Sequence, residues 1–258
     1  MNNYNIDEKS YRKIRRLDAR LRSKKYHWFY EYLYKILSKS DYFWILNLTE
    51  KNPNLYLLAD NNTKYSYEEI QIEANIRKLN NSTEDSLFPA VNACVKYLNA
   101  NVKLDKYVGL CHGVRNGVEV KLFNNLLNGD DPAYKIIGTD ISPTATNFDN
   151  VFQMDFHEEK EEFVGKFDFI YSNSLDQSNN PQRALHTWVD SLKPDGMLFV
   201  DLGKGGKSHW ALLDPFCCEP EFFPLVALKF LKQKACVVDT IQKFEDDARN
   251  LIFVIKKL

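Results

Sequence analysis

The run Tyr107-Val108-Gly109-Leu110-Cys111-His112-Gly113-Val114-Arg115-Asn116-Gly117-Val118-Glu119, followed by Ile136-Ile137-Gly138-Thr139-Asp140-Ile141-Ser142, decides the fold. A short apolar run enters a glycine-punctuated turn, a helical pattern follows, and a second apolar run ends on an acid. Gly113 and Gly117 let the backbone turn sharply and approach a ligand with no Cβ in the way. A helix beginning near Asn116 aims its free N–H groups at that ligand. Asp140, with Ile141 beside it at the carboxyl end of the second strand, is placed to accept hydrogen bonds from two ribose hydroxyls. Gly113-x-x-x-Gly117 is not the dinucleotide G-x-G-x-x-G, so the signal lies in the order strand, turn, helix, strand, acid.

The same alternation continues downstream. Val151-Phe152-Gln153-Met154-Asp155-Phe156 reads as a third strand ending on an acid, and 166–174 as a fourth. Leu192-Lys193-Pro194-Asp195-Gly196-Met197-Leu198-Phe199-Val200-Asp201 reads as a helix end, a turn and a fifth strand. A helix follows over 221–230. The β-rich runs 235–240 and 251–255 then bracket a turn at 246–250.

This series resembles the class I S-adenosylmethionine-dependent methyltransferases over roughly residues 105–258, with the Leu-Lys-Pro-Asp-Gly turn and the loop Ser172-Asn173-Ser174-Leu175-Asp176-Gln177 among its most recognisable parts. The resemblance implies a Rossmann-like α/β fold: a seven-stranded sheet, mostly parallel, with the last strand inserted antiparallel. It implies S-adenosyl-L-methionine as cofactor. The turn around Cys111, His112 and Gly113 would pass the methionine moiety, Asp140 would bind the ribose diol, and Asp155 with the Phe156 N–H would read the adenine edge. Asn173 or Ser174 would close the site from strand four. Three departures stand out: Gly109 where many members carry an acid, Cys111 for a first glycine, and Gln177 where relatives often have His. With no acid at Gly109, Arg115 is a candidate holder of the methionine carboxylate. His112 either contacts the donor or packs within the turn.

Composition is that of an ordinary globular protein: 258 residues, 44% hydrophobic and 27% charged, with a net charge of −1. No uninterrupted apolar run approaches the roughly 20 residues that span a bilayer, and the amino terminus lacks a signal peptide's apolar core, so the expectation is a soluble cytoplasmic enzyme with no transmembrane segment. Five cysteines with no C-x-x-C pair fit reduced thiols, and no metal site is expected.

Residues 1–104 are organised differently, as a helical extension or cap on a cofactor-binding domain at 105–258. Ile14, Leu17, Leu21, Trp28, Tyr32 and Ile36 recur at helical spacing. Ser66-x-x-Glu69 is a capping box opening a helix through about Leu79, and a further helix runs from Ser86 to Asn99 with Pro89 in its first turn. Arg12, Lys13, Arg15, Arg16, Arg20, Arg22, Lys24 and Lys25 face the single acid Asp18. They form a solvated helix face or a contact surface for an acidic partner such as RNA.

Three residues are candidates for catalysis. Methyl transfer from a sulfonium is an in-line displacement, so alignment supplies much of the rate and a base is needed only where the acceptor must lose a proton. Asp176, after strand four, reads as an acceptor-binding residue or base, or as the cap of the helix at Pro181. The long glycine-rich and then aromatic loop 202–216 lies at a strand's carboxyl end, where ligand crevices form. Its His209 is the leading base and Asp214 its partner, against the alternative of a surface His beside Trp210. The sequence thus points to methyl transfer from S-adenosyl-L-methionine to an oxygen of a small molecule or sugar. The alternatives are an RNA methyltransferase using the basic helix 12–25, with nucleic acid the lesser partner, and a catalytically silent module that binds cofactor or partner.

Overall fold

The computed structural model describes residues 65–129, 131, 133–202, 213–216, 218, 220, 223–243 and 251–258. The expected helix from Tyr11, the basic run 12–25 and His209 lie outside the described residues.

A helix, α1, spans Tyr67–Arg77. The capping box that predicts it forms: the Ser66 hydroxyl accepts from the Glu69 N–H at 3.2 Å and the Glu69 carboxylate accepts from the Ser66 N–H at 2.7 Å. The second helix, α2, covers Glu84–Asn101 and begins two residues before the expected Ser86, because Thr83 and Ser86 cap it reciprocally. Pro89 therefore sits two residues deeper than expected, at the cost of one backbone hydrogen bond.

Seven strands follow: β1 Gly109–His112, β2 Ile136–Asp140, β3 Val151–Gln153, β4 Phe167–Ser172, β5 Leu192–Asp201, β6 Ala235–Gln242 and β7 Leu251–Lys257. They form one sheet in the order β3-β2-β1-β4-β5-β7-β6. The first five are parallel, while β7 runs antiparallel to both β5 and β6, as the resemblance implies. The Leu-Lys-Pro-Asp-Gly turn is drawn into β5 as an irregularity: pairing jumps from Phe167 with Leu192 to Phe169 with Met197. Asp195 takes a φ of 64° there, where Asp is among the few side chains that tolerate the left-handed region.

Helices α3 (Val118–Phe123), α4 (Pro181–Ser191) and α5 (Phe223–Leu231) complete the described elements of regular helix. Side chains alternate across the sheet. Leu110, Ile170 and Leu198 join α4 and α5 in one core cluster. Cys111, Tyr171 and Phe199 join α2 and α3 in the other. Residues 90–98 of the expected extension are thereby part of a core shared with the sheet.

The chain runs from β1 to β2 and β3 on one side and then returns to place β4 and β5 on the other. Crossovers leave opposite faces there, so a crevice opens outside the carboxyl ends of β1 and β4, where α/β sheets bind ligands. Among the described residues no helix is long and apolar enough to cross a membrane, and no group of His, Cys, Asp and Glu is arranged to hold a metal.

Candidate active site

The turn leaving β1 is shaped by backbone. Gly113 has a φ of 72°, and a Cβ there would lie 2.4 Å from the Ser174 hydroxyl oxygen. Only glycine suits it. Arg115 adopts a φ of 50° while carrying a full side chain, an uncommon conformation that other contacts must hold in place. Its N–H donates to Asp140 Oδ2 at 2.9 Å, its Nε to Asn75 Oδ1 at 3.3 Å, and an Nη to the Ser82 hydroxyl at 3.3 Å.

Asp140 ends β2, 1% exposed. Besides Arg115, it accepts from the Ser142 N–H at 2.8 Å and from Asn75 Nδ2 at 3.1 Å. Burial pushes its carboxyl above the usual range, against the opposing hydrogen bonds from Ser142 and Arg115. Asn75 thus bridges Asp140 and Arg115 from α1, a link with no local sequence signal.

A cavity opens at this acid. Gly113, Asp140, Ile141, Asp155 and Phe156 line it from the strand ends, and Gln177 lines it from the loop after β4. Its remaining wall is α1, through Tyr67, Gln71 and Asn75, one helical stripe at i, i+4 and i+8. Each stripe residue is tied across the crevice: the Tyr67 hydroxyl donates to the Gln177 carbonyl, Gln71 Nε2 to the Leu213 carbonyl at 2.7 Å, and Asn75 to Asp140. The sequence reading missed all three. The signal available was three polar or amphipathic residues recurring every fourth position on a helix whose buried residues include Gln71, Glu73 and Asn75.

Asp155 is held by a chain of side chains. Its Oδ1 lies 2.6 Å from His157 Nδ1, and His157 Nε2 lies 2.7 Å from the Ser178 hydroxyl. Burial pushes the Asp155 carboxyl up, but hydrogen bonds from the His157 ring and N–H outweigh it and hold the group below its ordinary value. Ser178 is fully buried, so the chain anchors Asp155 to the loop after β4.

The remaining expected cofactor residues divide. Cys111 packs its thiol into the core, where burial pushes it up and keeps it protonated. His112 packs on the opposite face of the sheet: its ring stacks on Trp188 with centroids 5.2 Å apart, its Nδ1 meets the Thr139 hydroxyl at 2.7 Å, and burial lowers it to about 3. Asn173 donates to Glu119 Oε1 at 3.2 Å, and the Ser174 hydroxyl donates to the Gly113 carbonyl at 3.2 Å.

On the acceptor side, Asp176 does not cap the helix at Pro181, because Asn180 accepts from the Arg183 N–H in that role. Instead its Oδ1 is buried with no hydrogen-bond partner among the described residues. Burial, reinforced by the charge of Asp214, raises its carboxyl to about 8. The segment carrying Asp214 is secured by the Phe216 N–H donating to the Asp176 carbonyl at 2.9 Å. The structure therefore brings Asp176 and Asp214 together beside the cavity wall.

Solved structures share this arrangement of strands and helices. The citrinin polyketide synthase CMeT domain superposes with a TM-score of 0.53 at 12% identity, over 91% of this chain and 79% of that one. The plantazolicin methyltransferase BpumL in complex with a pentazolic desmethylPZN analog and SAH gives 0.53 at 15% identity, over 74% and 91%. The same methyltransferase in complex with SAH gives 0.52 at 14% identity, over 83% and 93%. The fold is that of the class I methyltransferases. No family model matches the chain, and no curated protein matches its sequence.

Proposed function

We propose that the protein is an S-adenosyl-L-methionine-dependent methyltransferase that methylates an oxygen of a small molecule or sugar, with residues 1–104 as a helical cap on the domain at 105–258. The observation that carries this reading is the environment of Asp140. An ionised carboxylate offers about four acceptor positions, and backbone N–H groups of Arg115 and Ser142 take two of them, with Asn75 on a third. One position is free for a ribose hydroxyl, and a second becomes free when the Asn75 side chain turns away. The donor set at the rest of the cavity fits the same group: a glycine backbone at Gly113, the flat apolar surfaces of Ile141 and Phe156, and an ionised Asp155 fixed by His157.

Bound here, the cofactor supplies an electrophilic methyl group on a positively charged sulfur. The residues of this chain do the rest. Asp140 orients the ribose, Asp155 and the Phe156 N–H read the adenine edge, and the turn at Gly113 with Asn173 and Ser174 passes the methionine end. Asp176 and Asp214 face the acceptor, Asp176 as the base where a hydroxyl must lose its proton, and His209 serves the same acceptor from the loop after β5. Alignment of acceptor and donor carries most of the acceleration.

The test is calorimetric titration of the full chain with S-adenosylhomocysteine. Asp140→Ala removes hydrogen bonds to a charged group, about 1.5–3 kcal/mol, or roughly ten- to hundredfold in affinity. A parent protein that binds nothing, or a variant that binds as well as the parent, overturns the assignment. A tritiated-methyl transfer assay on fractionated cell extract then separates small-molecule and sugar acceptors from RNA and protein.

A further inference from the structure

The amino-acid end of the proposed cofactor carries an ammonium and a carboxylate, and β1 offers no acid for the first. Gly109 occupies the strand position from which one would extend, and a Cβ there would lie 2.5 Å from two ring carbons of Phe169. Phe169 is fully buried between Tyr107 and Phe199. That space is filled with hydrocarbon.

A carboxyl group is nevertheless present nearby, on a different element. Glu119 lies in the first turn of α3, immediately after the Gly113-to-Gly117 turn, and is 2% exposed. Its Oε1 accepts from Asn173 Nδ2 at 3.2 Å, and its Oε2 is buried with no hydrogen-bond partner among the described residues. A buried carboxyl oxygen left unpaired is costly, so it points to a missing partner. The charged and titratable groups that face it are Arg115 and Asp140 at the crevice, and Cys111 and Tyr171 from β1 and β4. Asp140 and the hydrogen-bonded Asn173 are residues that the proposed function assigns to the cofactor.

We infer that Glu119 accepts the ammonium group of the cofactor's methionine end, so that the acid absent from the end of β1 is supplied by the first turn of α3. This rests on the proposed function. The charges sort the two ends of the amino acid: Asp140, and Glu119 once ionised, repel a carboxylate, while the guanidinium of Arg115 attracts it. Burial raises the Glu119 carboxyl to about 7, so below that pH it mostly holds a proton until a cation arrives. Pairing with an ammonium favours the ionised form, and binding releases that proton to solvent.

The experiment compares two ligands on the full chain by calorimetry. S-adenosylhomocysteine has the amino-acid end, whereas 5′-methylthioadenosine keeps the adenosine and sulfur and lacks it. Glu119→Gln keeps an oxygen for Asn173 to donate to and removes the charge. The expected result is an affinity for S-adenosylhomocysteine lowered about ten- to hundredfold, with 5′-methylthioadenosine bound as by the parent. Titrations at pH 6.5 in buffers of different ionisation enthalpy should show proton release by the parent with S-adenosylhomocysteine, and none with 5′-methylthioadenosine or by the variant. Unchanged affinity for S-adenosylhomocysteine, equal weakening of both ligands, or absence of proton release overturns the role of Glu119 and leaves the methyltransferase reading standing. A parent that binds neither ligand overturns both.

Discussion

Asp176 shows how one side chain's surroundings set its chemistry. A carboxyl raised to about 8 by burial and by Asp214 is protonated at pH 7, and it removes a proton from an acceptor only in its ionised form. Turnover of the parent should therefore rise as pH increases through about 8, the value to which burial raises the Asp176 carboxyl, and then level off. Asp176→Asn should lower turnover by about 10²–10⁴ and lose that limb of the profile, with affinity for S-adenosylhomocysteine unchanged. A variant that keeps the parent's rate and pH dependence assigns the base to His209, or removes the need for one. Arg115 makes a different point at the same scale. Its left-handed backbone is offset by three hydrogen bonds to Asp140, Asn75 and Ser82, so the strain and the network that sustains it meet in the residue beside the crevice.

At the scale of the element, α1 is the part whose position is least determined by its own residues. Its capping box and its helical pattern are local and form as read. What places it over the crevice is the stripe Tyr67, Gln71 and Asn75, bonded to the Gln177 carbonyl, the Leu213 carbonyl and Asp140. A net hydrogen bond contributes about 0.5–1.5 kcal/mol, so three of them hold the helix firmly while still permitting opening for a ligand to enter. Tyr67→Phe combined with Gln71→Ala should speed amide hydrogen exchange across Tyr67–Arg77 by roughly tenfold or more, and exchange in α2 should stay unchanged. Bound S-adenosylhomocysteine should slow α1 exchange in the parent. Equal exchange in parent and variant would mean that packing alone, through Ile70 and Ala74, holds the helix.

For the whole molecule, the fold leaves two carboxyls, Glu119 and Asp176, protonated where unfolded ones are ionised. Both are raised in the folded state, to about 7 and about 8. Their contribution to stability is fully present below the unfolded value near 4 and is lost as pH rises through those folded values. The ligand-free protein's Tm should fall between pH 6 and pH 9. The double variant Glu119→Gln with Asp176→Asn should show a shallower fall, measured by thermal unfolding followed by circular dichroism. An identical slope in both proteins would mean that neither buried carboxyl governs the pH response. The wider contrast lies in the range over which the physics acts. Short apolar runs, turn glycines, the β-rich runs and the capping box are properties of neighbouring residues, so the sequence by itself determined the strands and the placing of Asp140 at a strand end, while the antiparallel close of the sheet was what the resemblance implied. Only the tertiary structure decided that His112 and Cys111 pack into the core on opposite faces of the sheet, that Asn75 sits on Asp140 from 65 residues away, and that Glu119 is buried with one oxygen unpaired among the described residues. Burial and pairing across the sheet depend on residues far apart in the chain, and the energies that shift a carboxyl or hold a helix over a crevice come from those distant neighbours rather than from the residues beside it.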